Sequence, residues 1–136
     1  LEIENPKVAV LCAKEKVNPK MPATVDAAEL KKLGEAGEFG PNVLVEGPIA
    51  MDLAVSAHCA EVKGFKSEVA GDADIFIVPN IEAGNIMGKM LTVTCKAKMA
   101  GFIVGARCPI VMTSRGSSAE EKYLSIVISA AAARNQ

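Results

Sequence analysis

The chain has few aromatic residues and no long hydrophobic run. Four Phe and one Tyr are present among 136 residues, and Trp is absent. The longest apolar runs are about eight residues, far short of the roughly 20 that a membrane-spanning helix needs. The first residues, Leu-Glu-Ile-Glu-Asn-Pro, lack the positive-then-apolar layout of a secretion signal. These absences predict a soluble, cytoplasmic protein that does not engage a membrane.

An excess of charge of one sign is also missing. The chain has 15 basic and 16 acidic residues and a net charge of −1. No basic run interleaved with aromatic residues marks a nucleic-acid surface, so we expect no nucleic-acid partner. Half of the residues are apolar, and the length is close to that of a common domain. The chain is therefore long and apolar enough to bury a core.

The four cysteines show no pattern of a disulfide framework or a zinc site. Cys12, Cys59, Cys95 and Cys108 are widely and irregularly spaced, without a CxxC pair. Cys12 falls in an apolar strand, and two of the others fall in helical stretches, which is typical of buried, reduced cysteines. We therefore expect a reducing compartment and no metal site.

The hydrophobic pattern alternates between short apolar runs and longer helical periods. Such alternation predicts right-handed crossovers and an α/β fold with a mainly parallel sheet and flanking helices. Predicted strands are 7–12, 42–46 (closed by Gly47-Pro48), 74–78, 101–105 and 109–112. Predicted helices are 26–37 with Thr24 as a cap, 51–64, 85–99 and 118–133.

Ligands of open parallel sheets bind beyond the carboxyl ends of the strands. Three strand-to-helix connections are candidates for this edge: Glu46-Gly-Pro48, Pro79-Asn-Ile-Glu-Ala-Gly-Asn85 and Thr113-Ser-Arg-Gly116. In each of them a glycine could let a ligand approach the backbone, although such loops are rich in glycine in any case. Neither a GxGxxG fingerprint nor a Walker loop is present, which argues against a standard dinucleotide or nucleoside-triphosphate site.

The segment Pro109-Ile-Val-Met-Thr-Ser-Arg-Gly-Ser-Ser-Ala-Glu-Glu-Lys122 is the most informative one. It predicts a strand that runs into a turn and then opens a helix, with Ser114 and Arg115 at the junction. A helix amino terminus favours an anion, and an arginine offers a planar fork for phosphate or carboxylate. The alternative is an ordinary strand–turn–helix with a surface arginine.

Four motifs in order resemble the phosphate acetyl/butyryltransferase family. They are Glu46-Gly-Pro-Ile-Ala-Met-Asp52, Gly71-Asp-Ala-Asp-Ile-Phe-Ile-Val-Pro-Asn-Ile-Glu-Ala-Gly-Asn-Ile86, Pro109-Ile-Val-Met-Thr-Ser-Arg115 and Glu15-Lys-Val-Asn-Pro-Lys-Met-Pro-Ala-Thr24. The last one resembles the butyryltransferase branch in particular. The resemblance extends from Lys7 to about Ser129. It implies transfer of a short acyl group between coenzyme A and inorganic phosphate, with butyryl favoured and acetyl possible.

The resemblance also implies a larger architecture. Members of this family are about twice as long and have two α/β domains of an isocitrate/isopropylmalate-dehydrogenase-like type. We expect residues 1–106 to form most of the second domain and 107–136 to return to the first. The chain would then be the C-terminal portion of an enzyme, and that portion alone would lack arginines that help to hold phosphate.

Site residues follow from the resemblance, position by position. Arg115 would bind the phosphoryl group, Ser114 would orient the reacting end, and Glu121, with Glu120 beside it, occupies the position of the proposed base. Ser118-Ala-Glu-Glu121 is also a capping box, so Glu121 alternatively closes the start of a helix. The three strand-end connections, rather than the resemblance, give the candidate substrate-binding residues Gly47, Pro48, Asn80, Glu82, Gly84, Asn85 and Gly116. Local turn and cap hydrogen bonds explain the polar side chains after the third strand, Asn80, Glu82 and Asn85, about equally well.

Association and cofactor use are the remaining expectations. Tyr123, Leu124, Val127 and Ile128 would leave an apolar patch uncovered, so we expect a homodimer or a larger assembly. Coenzyme A or acyl-CoA would be a substrate, with no permanently bound cofactor. The alternative function is a non-catalytic module of the same fold that binds coenzyme A or another anion.

Overall fold

Three parallel strands form the sheet of this chain, in a computed structural model that describes residues 3–133. The strands are β1 (Lys7–Leu11), β2 (Leu44–Ile49) and β3 (Ile75–Ile77), in the order β2-β1-β3. Both outer strands run parallel to β1. The apolar residues at the end of this central strand are buried, as expected for a strand covered on both faces. The structure confirms the predicted α/β fold with a parallel sheet.

Five helices and one π-helical segment accompany the sheet in the described part of the chain. They are α1 (Pro22–Glu35), α2 (Met51–Val55), α3 (Ala57–Val62), α4 (Ile81–Lys89), the π-helical segment Met90–Thr94 and α5 (Ala119–Ala133). Helix α1 packs on β1 and β2. No helix in residues 3–133 has the length and apolar content to cross a membrane.

Three of the predicted helices have wrong boundaries. Helix α1 begins at Pro22, because proline has no N–H to leave unpaired there, and Thr24 lies inside the first turn rather than capping it. The predicted helix 51–64 breaks at Ser56, whose hydroxyl accepts a hydrogen bond from the Cys59 N–H and caps a new helix. The predicted helix 85–99 begins earlier, at Ile81, and its α-helical part ends at Lys89. The π-helical segment that follows ends at Thr94, so residues 95–99 are not helical.

Residues 101–105 and 109–112 do not form the two predicted strands. The described structure has only one antiparallel bridge there, in which the Ile103 N–H donates to the Ile110 carbonyl at 2.8 Å. Both segments are β-rich in composition, but a strand needs a ladder of partners, and these residues find a single pair. Much of their apolar surface is accordingly exposed, including Met112 at 71%.

The chain divides into two compact units, one ending at Gly84 and the other beginning at Asn85. This boundary falls within α4 and describes only the contacts inside this chain. The assignment of 1–106 and 107–136 to two domains of a longer protein stays a prediction.

Helix α5 buries polar residues and exposes apolar ones. Ser125 and Ser129 are buried, and the Ser125 hydroxyl accepts a hydrogen bond from the Gly101 N–H at 3.1 Å. Tyr123 and Val127 are exposed, as predicted, while Leu124 and Ile128 are half-buried. Ile126, which the sequence analysis did not single out, is also exposed. The helix therefore carries an apolar face that nothing within the described residues covers.

Candidate active site

The carboxyl edge of the sheet gathers three connections of the first unit. Because β1, β2 and β3 are parallel, the loop 12–21, the junction at Ala50 and the segment 78–80 all leave the sheet at this edge. Crevices at such edges are where open α/β sheets bind ligands. The sequence predicted two of these connections as parts of a site, but it did not single out the loop 12–21.

Gly47 and Pro48 lie inside β2 and are buried, not in a loop after the strand. A Cβ at Gly47 would come within 2.8 Å of the Val10 Cβ and 3.2 Å of the Ala27 Cβ. The backbone approach that glycine permits at this position is therefore the approach of α1 to the sheet. Contact of Gly47 and Pro48 with a substrate stays a prediction.

Glu46 holds β2 to α1 through its carboxylate. The Lys31 ammonium lies 2.8 Å from the Glu46 Oε1, and the Gly47 N–H donates to the same oxygen at 3.0 Å. The Glu46 side chain is only 12% exposed. A mostly buried carboxylate with two donors is stabilised by them. The Glu46-Gly-Pro48 motif thus has a structural role in this unit.

The segment after β3 is the start of α4. The Asn80 side-chain oxygen accepts the Ala83 N–H at 2.9 Å, which is the geometry of a helix cap. Glu82 is exposed in the first turn, where the helix dipole favours a carboxylate. A Cβ at Gly84 would lie 2.9 Å from a Val78 methyl carbon. Gly84 is a helical residue, contrary to the predicted loop, and Asn85 is helical as the predicted helix 85–99 requires. Substrate contact at all four positions stays a prediction.

In the second unit, Ser114, Arg115 and Gly116 form a turn before α5. The Gly116 N–H donates to the Ser114 Oγ at 3.4 Å, and the Ser117 N–H donates to the Ser114 carbonyl at 3.0 Å. All three residues are exposed. No carboxylate among residues 3–133 lies within 4.0 Å of the Arg115 guanidinium, so its charge is uncompensated by the described protein.

Glu121 closes a capping box at the start of α5. The Ser118 N–H donates to Glu121 Oε2 at 2.7 Å, and the Glu121 N–H donates to the Ser118 Oγ at 3.2 Å. This reciprocal pair is the geometry that the capping-box alternative describes. It fixes the turn that presents Arg115. Glu120 forms an ion pair with Lys98 instead. A base role for Glu121 stays a prediction.

An ion-pair network that sequence reasoning missed joins two connections at the carboxyl edge. The Lys63 ammonium lies 2.8 Å from Asp52 Oδ2 and 3.8 Å from Glu15 Oε1. Glu15 belongs to the loop 12–21, and Asp52 opens α2. The hydrogen bond from Lys63 lowers the pKa of the Asp52 carboxyl below its ordinary value. No spacing in the sequence indicates this network, because its members come from three separate elements.

This network should contribute to acid sensitivity. Because the pKa of Asp52 is lowered in the folded chain, its contribution to stability is present above the ordinary value near 3.8 and is lost as the pH falls through the folded pKa. We expect Asp52→Asn to flatten the dependence of unfolding free energy on pH in that acid range. Urea unfolding at several pH values measures the dependence of the unfolding free energy on pH. The control is Glu61→Gln, an exposed α3 carboxylate without an ion pair in residues 3–133; equal slopes for the two variants would contradict the expectation.

Comparisons with known proteins show close relatives. The chain is 51% identical over 134 residues to "Phosphate butyryltransferase" of Clostridium acetobutylicum, covering 98% of this chain and 44% of that protein. It is 50% identical over 128 residues to "Phosphate acetyltransferase" of Thermotoga maritima, covering 94% of this chain and 43% of that protein. A crystal structure of a branched-chain phosphotransacylase from Enterococcus faecalis V583 superposes with a TM-score of 0.82 at 39% identity. That match covers 95% of this chain and 46% of the other.

Family membership follows from the extent of the match. The chain spans less than half the length of the curated relatives that it matches. A family model described as "Phosphate acetyl/butaryl transferase" matches residues 1–130, which is nearly the whole chain and includes the turn at Ser114 and the capping box of α5. The chain belongs to the phosphate acetyl/butaryl transferase family.

Proposed function

We propose that this chain forms part of an enzyme that moves a short acyl group between coenzyme A and inorganic phosphate. The observation that carries the proposal is the family match over residues 1–130. The geometry of the second unit supports it, because the turn before α5 presents the exposed Arg115 without a carboxylate partner among the described residues. Such an arginine offers two parallel N–H donors to a phosphate.

The proposed chemistry is acyl transfer in either direction. In one direction a phosphate oxygen attacks the thioester carbonyl carbon, the C–S bond breaks, and the coenzyme A thiolate leaves and takes up a proton. In the other, the thiol loses its proton and its sulfur attacks the carbonyl carbon of the acyl phosphate, so the C–O bond breaks and phosphate leaves. Arg115 would hold the phosphoryl group, and Ser114 would orient it.

Glu121 is the proposed proton acceptor from the thiol. One of its carboxylate oxygens, Oε2, accepts the Ser118 N–H. Oε1 has no hydrogen-bond partner within residues 3–133 and so has lone pairs available for a proton. A capping carboxylate can therefore serve as a base without breaking its cap. Substrate contacts are proposed as well for Gly47, Pro48, Asn80, Glu82, Gly84, Asn85 and Gly116.

Butyryl is the proposed acyl group. The support is the segment Glu15–Thr24, which resembles the butyryltransferase branch. The relatives named for butyryl and acetyl transfer are equally similar, at 51% and 50% identity, so identity does not separate the two. A shorter acyl chain buries fewer methylene groups, and each is worth about 0.8 kcal/mol, so one pocket could discriminate the two substrates.

The test is formation of acyl phosphate by the protein that carries this chain. Butyryl-CoA or acetyl-CoA is mixed with inorganic phosphate, and both the released thiol and the acyl phosphate are measured. We expect equal amounts of both products and a higher kcat/KM for butyryl-CoA. Binding of coenzyme A without acyl phosphate would favour the non-catalytic module. A higher kcat/KM for acetyl-CoA would overturn only the acyl preference.

Self-association is proposed through the apolar face of α5. Tyr123, Ile126 and Val127 are 66%, 59% and 45% exposed, which is unusual for neighbouring residues on the helix of a monomer. We expect a homodimer or a larger assembly at tens of micromolar. Light scattering measures the mass, and Val127→Glu should shift it toward the monomer. The control is Val62→Glu, the same change at an exposed valine of α3, outside this face; a wild-type monomer would contradict the proposal.

A further inference from the structure

The loop 12–21, which we call the lysine loop, carries three basic residues at the carboxyl edge of the sheet. They are Lys14, Lys16 and Lys20, and the loop joins the end of β1 to the start of α1. Lys16 and Lys20 are exposed, and Lys14 is half-buried. The lysine loop therefore places several cations at the edge where a parallel sheet binds its ligand.

Side-chain hydrogen bonds hold the second half of the lysine loop in one conformation. The Asn18 N–H donates to the Thr24 hydroxyl oxygen at 2.9 Å, and the Lys20 N–H donates to the Asn18 side-chain oxygen at 3.0 Å. The Thr24 hydroxyl lies within donating distance of the Asn18 and Met21 carbonyls, and Thr24 is fully buried. Cys12 anchors the first end, since its N–H donates to the Ile49 carbonyl at 2.8 Å.

The charges of the lysine loop are unbalanced. Its one carboxylate, Glu15, is directed to Lys63 at 3.8 Å. None of the three loop lysines has a carboxylate within 4.0 Å in the described part of the chain. Cations repel one another, so this arrangement adds nothing to stability. A held loop with unpaired cations is the arrangement expected of an anion-binding surface.

We propose that the lysine loop binds the phosphate groups of coenzyme A. The inference rests on the proposed function for the identity of the ligand. Coenzyme A has a ribose phosphate and a diphosphate, so its negative charge is spread along the nucleotide. Three lysines within seven residues can meet such a spread of charge, and lysine binds phosphate as a mobile point charge. The loop would hold the nucleotide end of this ligand.

The test compares ligands with and without phosphate on two charge-matched variants. Binding of coenzyme A, dephospho-coenzyme A, pantetheine and inorganic phosphate is measured by calorimetry at fixed salt. We expect K16Q/K20Q to raise the Kd for coenzyme A at least about tenfold, as losing charge-assisted hydrogen bonds to phosphate does. The Kd for pantetheine should not change. Dephospho-coenzyme A should show a smaller loss than coenzyme A.

The control variant is K32Q/K66Q, which removes the same charge elsewhere on the first unit. Lys32 and Lys66 are exposed outside the lysine loop, and Lys66 adjoins Ser67 in the connection between α3 and β3. The control should change the Kd for coenzyme A less than about twofold, because screening weakens the effect of distant surface charges. K16R/K20R should retain most of the affinity.

Several results would overturn the inference. They are no binding of coenzyme A to the wild-type protein that carries this chain, equal loss in both charge-matched variants, and equal loss for pantetheine. An effect confined to inorganic phosphate would assign the loop to the other substrate and would also overturn it. If K16Q/K20Q forms acyl phosphate and has normal affinity for coenzyme A, only this inference is wrong. If coenzyme A binding depends on the lysines but no acyl phosphate forms, only the proposed function is wrong.

Discussion

Arg115→Lys is expected to lower kcat/KM for phosphate about 10- to 100-fold in the protein that carries this chain. A charge-assisted hydrogen bond to phosphate is worth roughly 1.5–3 kcal/mol, and an ammonium cannot form the two parallel bonds of a guanidinium. The charge is kept, so long-range attraction of phosphate is kept as well. Binding of coenzyme A should change much less. Steady-state kinetics with phosphate as the varied substrate measures the effect.

The control is Arg107→Lys, an exposed arginine of the same unit that has no carboxylate partner in residues 3–133. It should leave the phosphate dependence unchanged. Both variants should unfold like the wild type, since an exposed, unpaired arginine contributes little to stability. If Arg115→Lys leaves the phosphate dependence of the rate as it was, Arg115 is an ordinary surface residue and the proposed site is wrong.

Gly47→Ala is expected to lower the free energy of unfolding by about 1–3 kcal/mol, the range for overpacking a dense core. The new Cβ would come within 2.8 Å of the Val10 Cβ and 3.1 Å of the Ala27 carbonyl oxygen. The strand and helix that carry these atoms cannot rotate away as a side chain can. Helix α1 or β2 must therefore move. Urea unfolding measures the loss, with the slope of the transition compared between variants.

Gly101→Ala is the control for this substitution. An added Cβ there meets no atom within 4 Å, and the residue does not have a positive φ. We expect a change within about 0.5 kcal/mol, as for most surface substitutions. A Gly47→Ala variant as stable as the wild type would show that the contact between β2 and α1 relaxes freely. Close packing of α1 on β2 would then not be what requires glycine at position 47.

The sequence by itself determined the fold class, the central strand and the capping box beside the proposed site. The apolar run that forms β1 can be recognised in the sequence, because a strand buried on both faces does not alternate with polar residues. The capping box of Ser118 and Glu121 is readable because its two hydrogen bonds join residues three apart. Each of these signals is local, so that neighbouring residues are sufficient to produce it.

The tertiary structure decided what depends on residues far apart in the chain. Glu46 forms its ion pair with Lys31 only after separate elements pack together. The same holds for the ion pairs of Lys63 with Asp52 and Glu15. Gly47 lies inside β2, where its missing Cβ leaves room for Val10 of β1 and Ala27 of α1. Residues 109–112 have a strand composition and still form a single bridge, because a strand exists only where a neighbouring backbone supplies the other half of its hydrogen bonds.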